Sequence, residues 1–306
     1  LDDLMHSVSP SGKEGEATAI IQNFLQDYYI TETDILGNLY VYSGSLHPQP
    51  LLITAHIDEI GFQITRVNDN GLAYVRKLGE PDRQTLAGTL LQVCGKSNYL
   101  IGLFGKIAPH LQNSSERNQV IDTDSLWVDF GFVSKDEAFH YIDIGDYLGI
   151  APNFRFDITG KSCISKGLDN KFGAFVLAIS LKRLASLDIF DGKFVAVFTT
   201  QEELGYRGAI LASQRLKPSK CICIDVGFAT DIPSMRNQTS ISEFYLHHGP
   251  GLCIAPDNNF ELTQELIEIA SQKAIPYQIS TSYRPVTGTE TARIQLAGSG
   301  VVSAHI

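Results

Sequence analysis

Residues 51–55 form an almost wholly apolar run, and this run narrows the range of possible folds more than any other feature. A strand with apolar residues on both faces needs cover on both faces, which is typical of the sheets of α/β domains. Strand-like and helix-like segments alternate before about residue 61 and again after about residue 154. The sequence therefore predicts an α/β domain in which helices pack against a buried sheet.

The stretch from residue 62 to residue 153 has a different pattern of apolar residues and glycines. Its short alternating segments are separated by many glycines and by an Asn-Asp-Asn-Gly turn at residues 68–71. This pattern, without a long amphipathic helix, is typical of a small β-barrel or β-sandwich. We therefore expect one α/β domain, residues 1–61 and 154–306, that is interrupted by a β-rich domain at residues 62–153.

Composition argues against two classes of partner. The formal net charge of −10 disfavours nucleic acid, because phosphate binding needs clustered lysine and arginine. No apolar run approaches the length that spans a bilayer, so we expect no membrane partner. The five cysteines include no Cys-x-x-Cys pair, which favours a reducing, cytoplasmic compartment over a disulfide framework.

Acidic residues and one histidine follow three predicted strands, at the points where these strands end. They are His56, Asp58, Glu202, Glu203 and Asp225. Because ligands of open α/β sheets bind in the crevice beyond the carboxyl ends of the strands, we expect these side chains to share one crevice. Asp169 precedes a predicted buried helix that contains Phe172 and Val176, and its position allows it to reach the same edge.

One imidazole with several carboxylates is the ligand set of a hydrolytic zinc, cobalt or manganese site. Crowded carboxylates repel one another unless cations offset their charge, so the cluster itself favours bound metal. Glu202 and Glu203 are adjacent, so their side chains diverge, and one can bind metal while the other acts as a general base. A His-x-Asp pair or two adjacent glutamates are each usually structural, and only their joint placement at strand ends favours a metal site.

Four ordered motifs resemble those of the M42 family of metal-dependent aminopeptidases, the glutamyl and deblocking aminopeptidases. They are TAHIDEIG at residues 54–61, GLDNKFG at 167–173, TQEELGYRGA at 200–209 and the strand that ends at Asp225. Further likeness at residues 9–12, 106–111 and 127–131 extends the resemblance over essentially the whole chain. It implies a mixed-sheet α/β catalytic domain of the zinc-exopeptidase type, interrupted by a β-barrel-like domain that mediates dimerisation or oligomerisation.

The resemblance also assigns metal ligands. His56 and Asp225 would hold one ion, Glu203 would hold a second, and Asp169 would bridge the two. The peptide bond between Asp169 and Asn170 would be cis.

Further roles follow from the same resemblance. Glu202 would be the general base, and Asp58 would accept the free ring N–H of His56 and so set its tautomer. Residues 288–290, Gly-Thr-Glu, resemble a Gly-Thr-Asp turn beside the substrate. The last ligand of the family is a histidine that follows a strand, and we expect it beyond residue 306. His305 lies within that strand, so we expect it to pack and the second metal site to be incomplete in residues 1–306.

The implied function is that of a two-metal aminopeptidase that acts on peptides with a free N-terminus. Two divalent ions per subunit, zinc or cobalt, would activate water for the reaction. The resemblance further implies a homo-oligomer such as a tetrahedral dodecamer. Two alternatives stay open: a glycoside hydrolase, which uses two carboxylates without metal, and a catalytically impaired member of the family that acts as a scaffold.

Overall fold

A computed structural model of the protein describes residues 1–45, 47–95, 99–115, 117, 119–187, 192–233, 235, 242–282 and 286–306. By their contacts the residues divide into two compact units. The first unit contains Leu1–Ala17 and Asp58–Gly167, and the second contains Thr18–Ile57 and Leu168–Ile306. The domain boundaries expected near residues 61 and 154 stay a prediction.

Seven α-helices and sixteen strands are present in the described ranges. The helices are α1 Asp2–His6, α2 Gly15–Leu25, α3 Lys135–Ala138, α4 Leu168–Ala185, α5 Arg207–Leu216, α6 Phe260–Gln272 and α7 Thr291–Ile294. The strands are β1 Ile30–Thr33, β2 Leu39–Tyr42, β3 Leu51–His56, β4 Gly61–Val67, β5 Ala73–Leu78, β6 Leu90–Cys94, β7 Ile101–Gly105, β8 Trp127–Asp129, β9 Tyr147–Ile150, β10 Arg155–Phe156, β11 Cys163–Ile164, β12 Phe194–Thr199, β13 Lys220–Cys223, β14 Gly251–Ile254, β15 Gln278–Thr281 and β16 Val302–His305. Among these helices, none combines the length and the apolar character needed to cross a lipid bilayer.

The first unit contains a closed antiparallel barrel with the strand order β4-β5-β8-β7-β6-β9. Alternate residues of these strands point inward and form an apolar core, which includes Phe62, Ile64, Leu91, Phe104 and Leu148. The rings of Phe62 and Phe104 meet edge to face with their centroids 4.8 Å apart, a favoured aromatic arrangement. The alternating pattern of residues 62–153 therefore predicted the barrel correctly.

The second unit is built on a six-stranded mixed sheet with the order β1-β2-β12-β3-β13-β16. The four strands β12, β3, β13 and β16 are parallel, and β2 pairs with β12 in the antiparallel sense. Every residue of β12 is buried, as a central strand covered on both faces requires. A two-stranded parallel sheet of β14 and β15 belongs to the same unit. The predicted mixed-sheet α/β fold is confirmed.

Helix α4 is present where the sequence predicts a buried helix, but its buried face differs from the prediction. Phe172 is 40% exposed and Val176 is 36% exposed. The buried side of the helix is formed mainly by small residues and leucines, including Gly173, Ala174, Leu177, Ala178 and Leu181. This face packs on β3, where small side chains allow the helix to approach the sheet. Apolar residues lie around most of α4, so its periodicity alone did not define which face is buried.

Candidate metal centre

The carboxyl ends of three neighbouring parallel strands meet at one edge of the sheet in the second unit. Thr199 at the end of β12 lies opposite His56 at the end of β3, and Cys223 at the end of β13 lies opposite Thr54. The residues that follow these ends therefore emerge side by side. This register brings together His56, the loop that carries Glu202, and Asp225.

Three of the predicted residues form a compact group of metal-donor atoms. One donor atom from each of His56, Glu202 and Asp225 lies within 4.8 Å of the other two. His56 Nε2 lies 3.1 Å from Asp169 Oδ1 and 3.7 Å from Asp225 Oδ1. Imidazole nitrogen and carboxylate oxygens are ligand types that divalent transition metals take, so this group is a candidate metal site.

Burial of these ionisable side chains disfavours their charged forms. His56 is 2% exposed and the side chain of Asp225 is 6% exposed, whereas the side chain of Asp169 is 58% exposed. Burial raises the pKa of Asp225 well above its ordinary value, and the nearby Asp169 carboxylate adds to the rise while His56 opposes it. A divalent cation would supply the positive charge that these carboxylates lack, so the residues fit a metal ion.

Asp169 is held in place by its neighbour. The peptide bond between Asp169 and Asn170 is cis, which confirms the prediction. Asn170 is fully buried, and its side-chain amide donates to the backbone carbonyl of Ile224 at 2.8 Å. Its side-chain oxygen accepts the backbone N–H of Gly173 at 3.1 Å. Asn170 thus anchors the start of α4 beside the strand end that leads to Asp225, a role that the sequence had not indicated.

The loop that carries Glu202 is anchored by a second asparagine. The side-chain oxygen of Asn38 accepts the backbone N–H of Thr200 at 2.9 Å, and its amide donates to the backbone carbonyl of Gly208 at 3.1 Å. The backbone carbonyl of Glu202 accepts the N–H of Tyr206 at 2.8 Å and so closes the turn before α5. Asn38 is fully buried, yet no pattern in the sequence singles it out as a supporting residue.

The two adjacent glutamates are placed differently. Glu202 is 9% exposed and belongs to the compact donor group with His56 and Asp225. Glu203 is partly exposed, and the donor group does not include it. The roles expected for these residues, general base for Glu202 and metal ligand for Glu203, stay predictions.

Asp58 lies in the first unit and is fully buried. The Ser11 hydroxyl donates to its Oδ2 atom at 2.5 Å. The next residue, Glu59, forms a buried ion pair with Lys166, whose Nζ lies 2.7 Å from Glu59 Oε1. The Ser11 hydroxyl contacts the carboxylate of Asp58 directly, and the ion pair anchors the residue that follows it. The hydrogen bond that Asp58 is expected to accept from His56 stays a prediction.

Glu290 lies beneath the strand ends and is completely buried. Its Oε1 accepts the hydroxyl of Thr199, and its Oε2 lies 3.9 Å from the Sγ of Cys223 as an acceptor. Burial raises the pKa of the Cys223 thiol well above its ordinary value, so the thiol stays protonated and able to donate. The carboxylate of Glu290 therefore ties two strand ends together.

His305 is the last residue of β16 and lies opposite Cys223 in the neighbouring strand. Its two ring nitrogens are buried and make no hydrogen bond within the described part of the chain. Burial lowers the pKa of His305 to about 4, so the ring is neutral at pH 7. The packing role expected for His305 stays a prediction.

Known proteins resemble this chain in sequence and in structure. The profile of the M42 glutamyl aminopeptidase family matches residues 37–306. A lysyl aminopeptidase of Pyrococcus furiosus is 29% identical over 276 residues, which are 89% of this chain and 76% of that protein.

Solved structures agree with the sequence match. A TET aminopeptidase from a marine sediment archaeon of the Thaumarchaeota superposes with a TM-score of 0.91 at 27% identity, over 99% of this chain and 85% of that one. The TET1 peptidase of Pyrococcus horikoshii, which can assemble into a tetrahedron or a large octahedral shell, superposes with a TM-score of 0.83 at 26% identity, over 100% of this chain and 89% of that one. With the profile match over residues 37–306, these likenesses show that the chain belongs to the M42 glutamyl aminopeptidase family and is a hydrolase.

Proposed function

We propose that this protein is a two-metal aminopeptidase that removes the N-terminal residue from peptides. The observation that carries the proposal is the grouping of His56, Glu202 and Asp225, whose donor atoms lie within 4.8 Å of one another. Membership of a family of aminopeptidases supports the reaction class. The imidazole in the group disfavours a glycoside hydrolase, because that reaction needs two carboxylates and no histidine ligand.

In this proposal His56, Asp169 and Asp225 would hold one divalent ion, and Glu203 would hold the second with a share of Asp169. The short distances from His56 Nε2 to both aspartates support the first set of ligands. Zinc or cobalt suits a mixture of imidazole and carboxylate. The bound metal would supply a Lewis acid that polarises the scissile carbonyl and lowers the pKa of water.

Glu202 would be the general base. Its carboxylate would take a proton from the attacking water as the water oxygen bonds to the scissile carbonyl carbon. It would then give that proton to the leaving amine nitrogen as the C–N bond breaks. Asp58, held by the Ser11 hydroxyl, would accept the free ring N–H of His56 and so keep the metal-binding nitrogen unprotonated.

The substrates in this proposal are peptides with a free N-terminus. We also propose a homo-oligomer, since the TET1 peptidase that this chain resembles assembles into closed shells. We also propose a cytoplasmic location. The five cysteines include no Cys-x-x-Cys pair, and this pattern favours a reducing compartment.

Metal removal and restoration test the proposal. The protein is stripped with a chelator, titrated with zinc or cobalt, and assayed on aminoacyl p-nitroanilides and on a β-glucan in parallel. We expect amide hydrolysis to disappear on stripping and to return with metal, with no cleavage of the glucan. Metal-independent glucan cleavage would favour the glycoside hydrolase, and metal binding without hydrolysis of any substrate would favour the impaired scaffold.

A further inference from the structure

The segment from Thr200 to Gly208 contains Glu202, leads from β12 into α5, and is held at both ends by one side chain. The Oδ1 atom of Asn38 accepts the backbone N–H of Thr200 at 2.9 Å and the Thr200 hydroxyl at 3.2 Å. The Nδ2 atom of Asn38 donates to the Gly208 carbonyl at 3.1 Å. The Gly208 N–H also donates to the Thr200 carbonyl at 3.0 Å, so the two ends meet at the Asn38 carboxamide.

The conformation of this segment depends on such outside contacts. Gln201 and Tyr206 have φ angles of 54° and 63°, in the left-handed region that side chains other than glycine rarely adopt. Strained residues of this kind persist only where the surrounding contacts outweigh the strain. The bonds from Asn38 are contacts of this sort, so a change in the orientation of Asn38 should move the segment and Glu202 with it.

The orientation of the Asn38 carboxamide is set by Asp34. The Oδ2 atom of Asp34 accepts the Asn38 side-chain amide at 2.8 Å and the Tyr40 hydroxyl at 2.9 Å. Its Oδ1 atom accepts the backbone N–H groups of Leu36 at 2.9 Å and of Asn38 at 3.1 Å. Burial, together with the Asp34 carboxylate, raises the pKa of Tyr40 well above its ordinary value, so the hydroxyl stays protonated and donates.

A reversed Asn38 carboxamide would lose its partners on both sides. Its oxygen would face the Asp34 carboxylate, and its NH2 group would face the Thr200 N–H. Neither contact is a hydrogen bond, because the first joins two acceptors and the second joins two donors. The carboxylate of Asp34 therefore selects the one orientation of Asn38 that can hold Thr200.

We propose that Asp34 is a positioning residue, which acts through Asn38 to place the segment that carries Glu202. This inference rests on the proposed function, in which Glu202 is the general base. Asp34 lies outside the donor group of His56, Glu202 and Asp225. A base must lie within hydrogen-bond reach of the water that it deprotonates, and a displacement of about 1 Å can cost about 100-fold in rate. Loss of the Asp34 carboxylate should therefore lower turnover from a distance.

The first test replaces the carboxylate of Asp34 by its amide. Each oxygen of Asp34 accepts two donors, so in Asp34→Asn the new NH2 group faces donors in either orientation, and Asn38 loses support at its side chain or its backbone. The variant is assayed at saturating zinc with the aminoacyl p-nitroanilide that the wild type cleaves best. We expect kcat to fall about 10- to 100-fold, with KM close to the wild-type value.

Asp157→Asn is the matched control. The Oδ1 atom of Asp157 accepts the backbone N–H groups two and four positions further on, those of Thr159 at 3.1 Å and Lys161 at 3.0 Å. Asp34 makes the same pair of turn bonds, but the turn of Asp157 belongs to the first unit. We expect Asp157→Asn to keep the wild-type kcat.

A reciprocal exchange tests the contact between the two side chains. Asn38→Asp alone sets two carboxylates against each other, whereas Asp34→Asn/Asn38→Asp restores a donor and an acceptor and keeps the net charge of the wild type. The carboxylate at position 38 can then accept the Thr200 N–H again. We expect kcat of the double variant to exceed that of either single variant, in a double-mutant cycle. Recovery should be partial, because the Gly208 carbonyl still lacks its donor.

Hydrogen exchange provides a readout that does not need activity. We expect peptides that cover residues 200–208 to exchange faster in Asp34→Asn than in the wild type, and to regain protection in the double variant. Urea unfolding establishes that each variant is folded. If Asp34→Asn does not fold, Asp34→Ser decides the question, because its hydroxyl can still accept a turn N–H but does not replace the oxygen that faces the Asn38 amide.

The outcomes separate the inference from the proposed function. Wild-type kcat in folded Asp34→Asn, with or without a loss of stability, would show that Asp34 is only structural and would overturn the inference, while the aminopeptidase function would stand. A double variant no better than either single variant would show that Asp34 does not act through Asn38. Failure of the wild type to hydrolyse any aminoacyl substrate would contradict the proposed function itself, and the inference with it.

Discussion

Asn170 donates a hydrogen bond from its side-chain amide to the backbone carbonyl of Ile224 at 2.8 Å. The bond joins the residue that follows Asp169 to the residue that precedes Asp225, although 54 positions separate the two bonded residues in the chain. Two predicted metal ligands are thereby held at a set separation. Asn170 touches no predicted substrate group, so we regard it as a positioning residue of the candidate metal centre.

We expect Asn170→Ala to lower the free energy of unfolding and to weaken metal binding. The substitution leaves the Ile224 carbonyl and the Gly173 N–H without their side-chain partner, and each buried unpaired group costs about 1–3 kcal/mol. Loss of an outer partner of a metal site lowers affinity about 10- to 100-fold. Urea unfolding and calorimetric zinc titration measure the two effects. Asn70→Ala, at an exposed turn, is the control, and wild-type zinc affinity in folded Asn170→Ala would show that the bond does not position the ligands.

The adjacent glutamates should separate catalysis from metal binding. We expect Glu202→Gln to retain metal but to lose about 10²- to 10⁴-fold in kcat, because the amide cannot accept the proton of water. Glu203→Gln should lose metal as well as activity. Elemental analysis and steady-state kinetics on both variants provide the comparison. Full activity in Glu202→Gln would refute the role of Glu202 as the general base. Loss of metal from Glu202→Gln but not from Glu203→Gln would show that Glu202 is the metal ligand and Glu203 the base.

Gly208→Ala should disturb the loop that carries Glu202. A methyl group at this position would lie 2.3 Å from Asn38 Oδ1 and 2.4 Å from the backbone carbonyl oxygen of Thr200. Because one neighbour is backbone, the loop must move, and we expect a loss of about 1–3 kcal/mol in stability together with reduced kcat. Urea unfolding and kinetics test this, with Gly15→Ala as the control. Wild-type kcat in Gly208→Ala would show that the loop position is not critical for Glu202.

His305 should make the folded protein less stable in acid. Burial lowers its pKa to about 4 in the folded state, whereas an unfolded histidine has a pKa of about 6.5. Between these values the unfolded chain binds a proton that the folded chain does not, so stability falls as the pH drops from about 6.5 to about 4. At pH 4 this titration lowers the free energy of unfolding by up to about 3 kcal/mol relative to pH 7.

His305→Gln removes this titration. We therefore expect its free energy of unfolding to decline less than that of the wild type between pH 7 and pH 4. Urea unfolding of metal-free protein at several pH values measures the difference and avoids the proton dependence of metal binding. Parallel curves for the two proteins would show that His305 is protonated equally in both states.

The sequence by itself determined the mixed α/β class, the barrel and the family. The apolar run at residues 51–55 marks a strand covered on both faces, and alternation over residues 62–153 marks the barrel strands. His56 and Asp225 could be assigned to one edge because parallel strands end on the same side of a sheet. These features depend on local periodicity and on short motifs, both of which are contained in a few consecutive residues.

Only the tertiary structure decided which residues support the candidate site and which face of a helix is buried. Asn38 bonds to Thr200, 162 positions away, and the Phe244 ring rests on Gly227 and Gly251 from separate segments. Helix α4 buries its small residues rather than Phe172, since close approach to β3 favours small side chains at the contact. Each of these outcomes depends on how closely distant segments pack and on which buried polar groups find partners, and neither quantity is present in the local sequence.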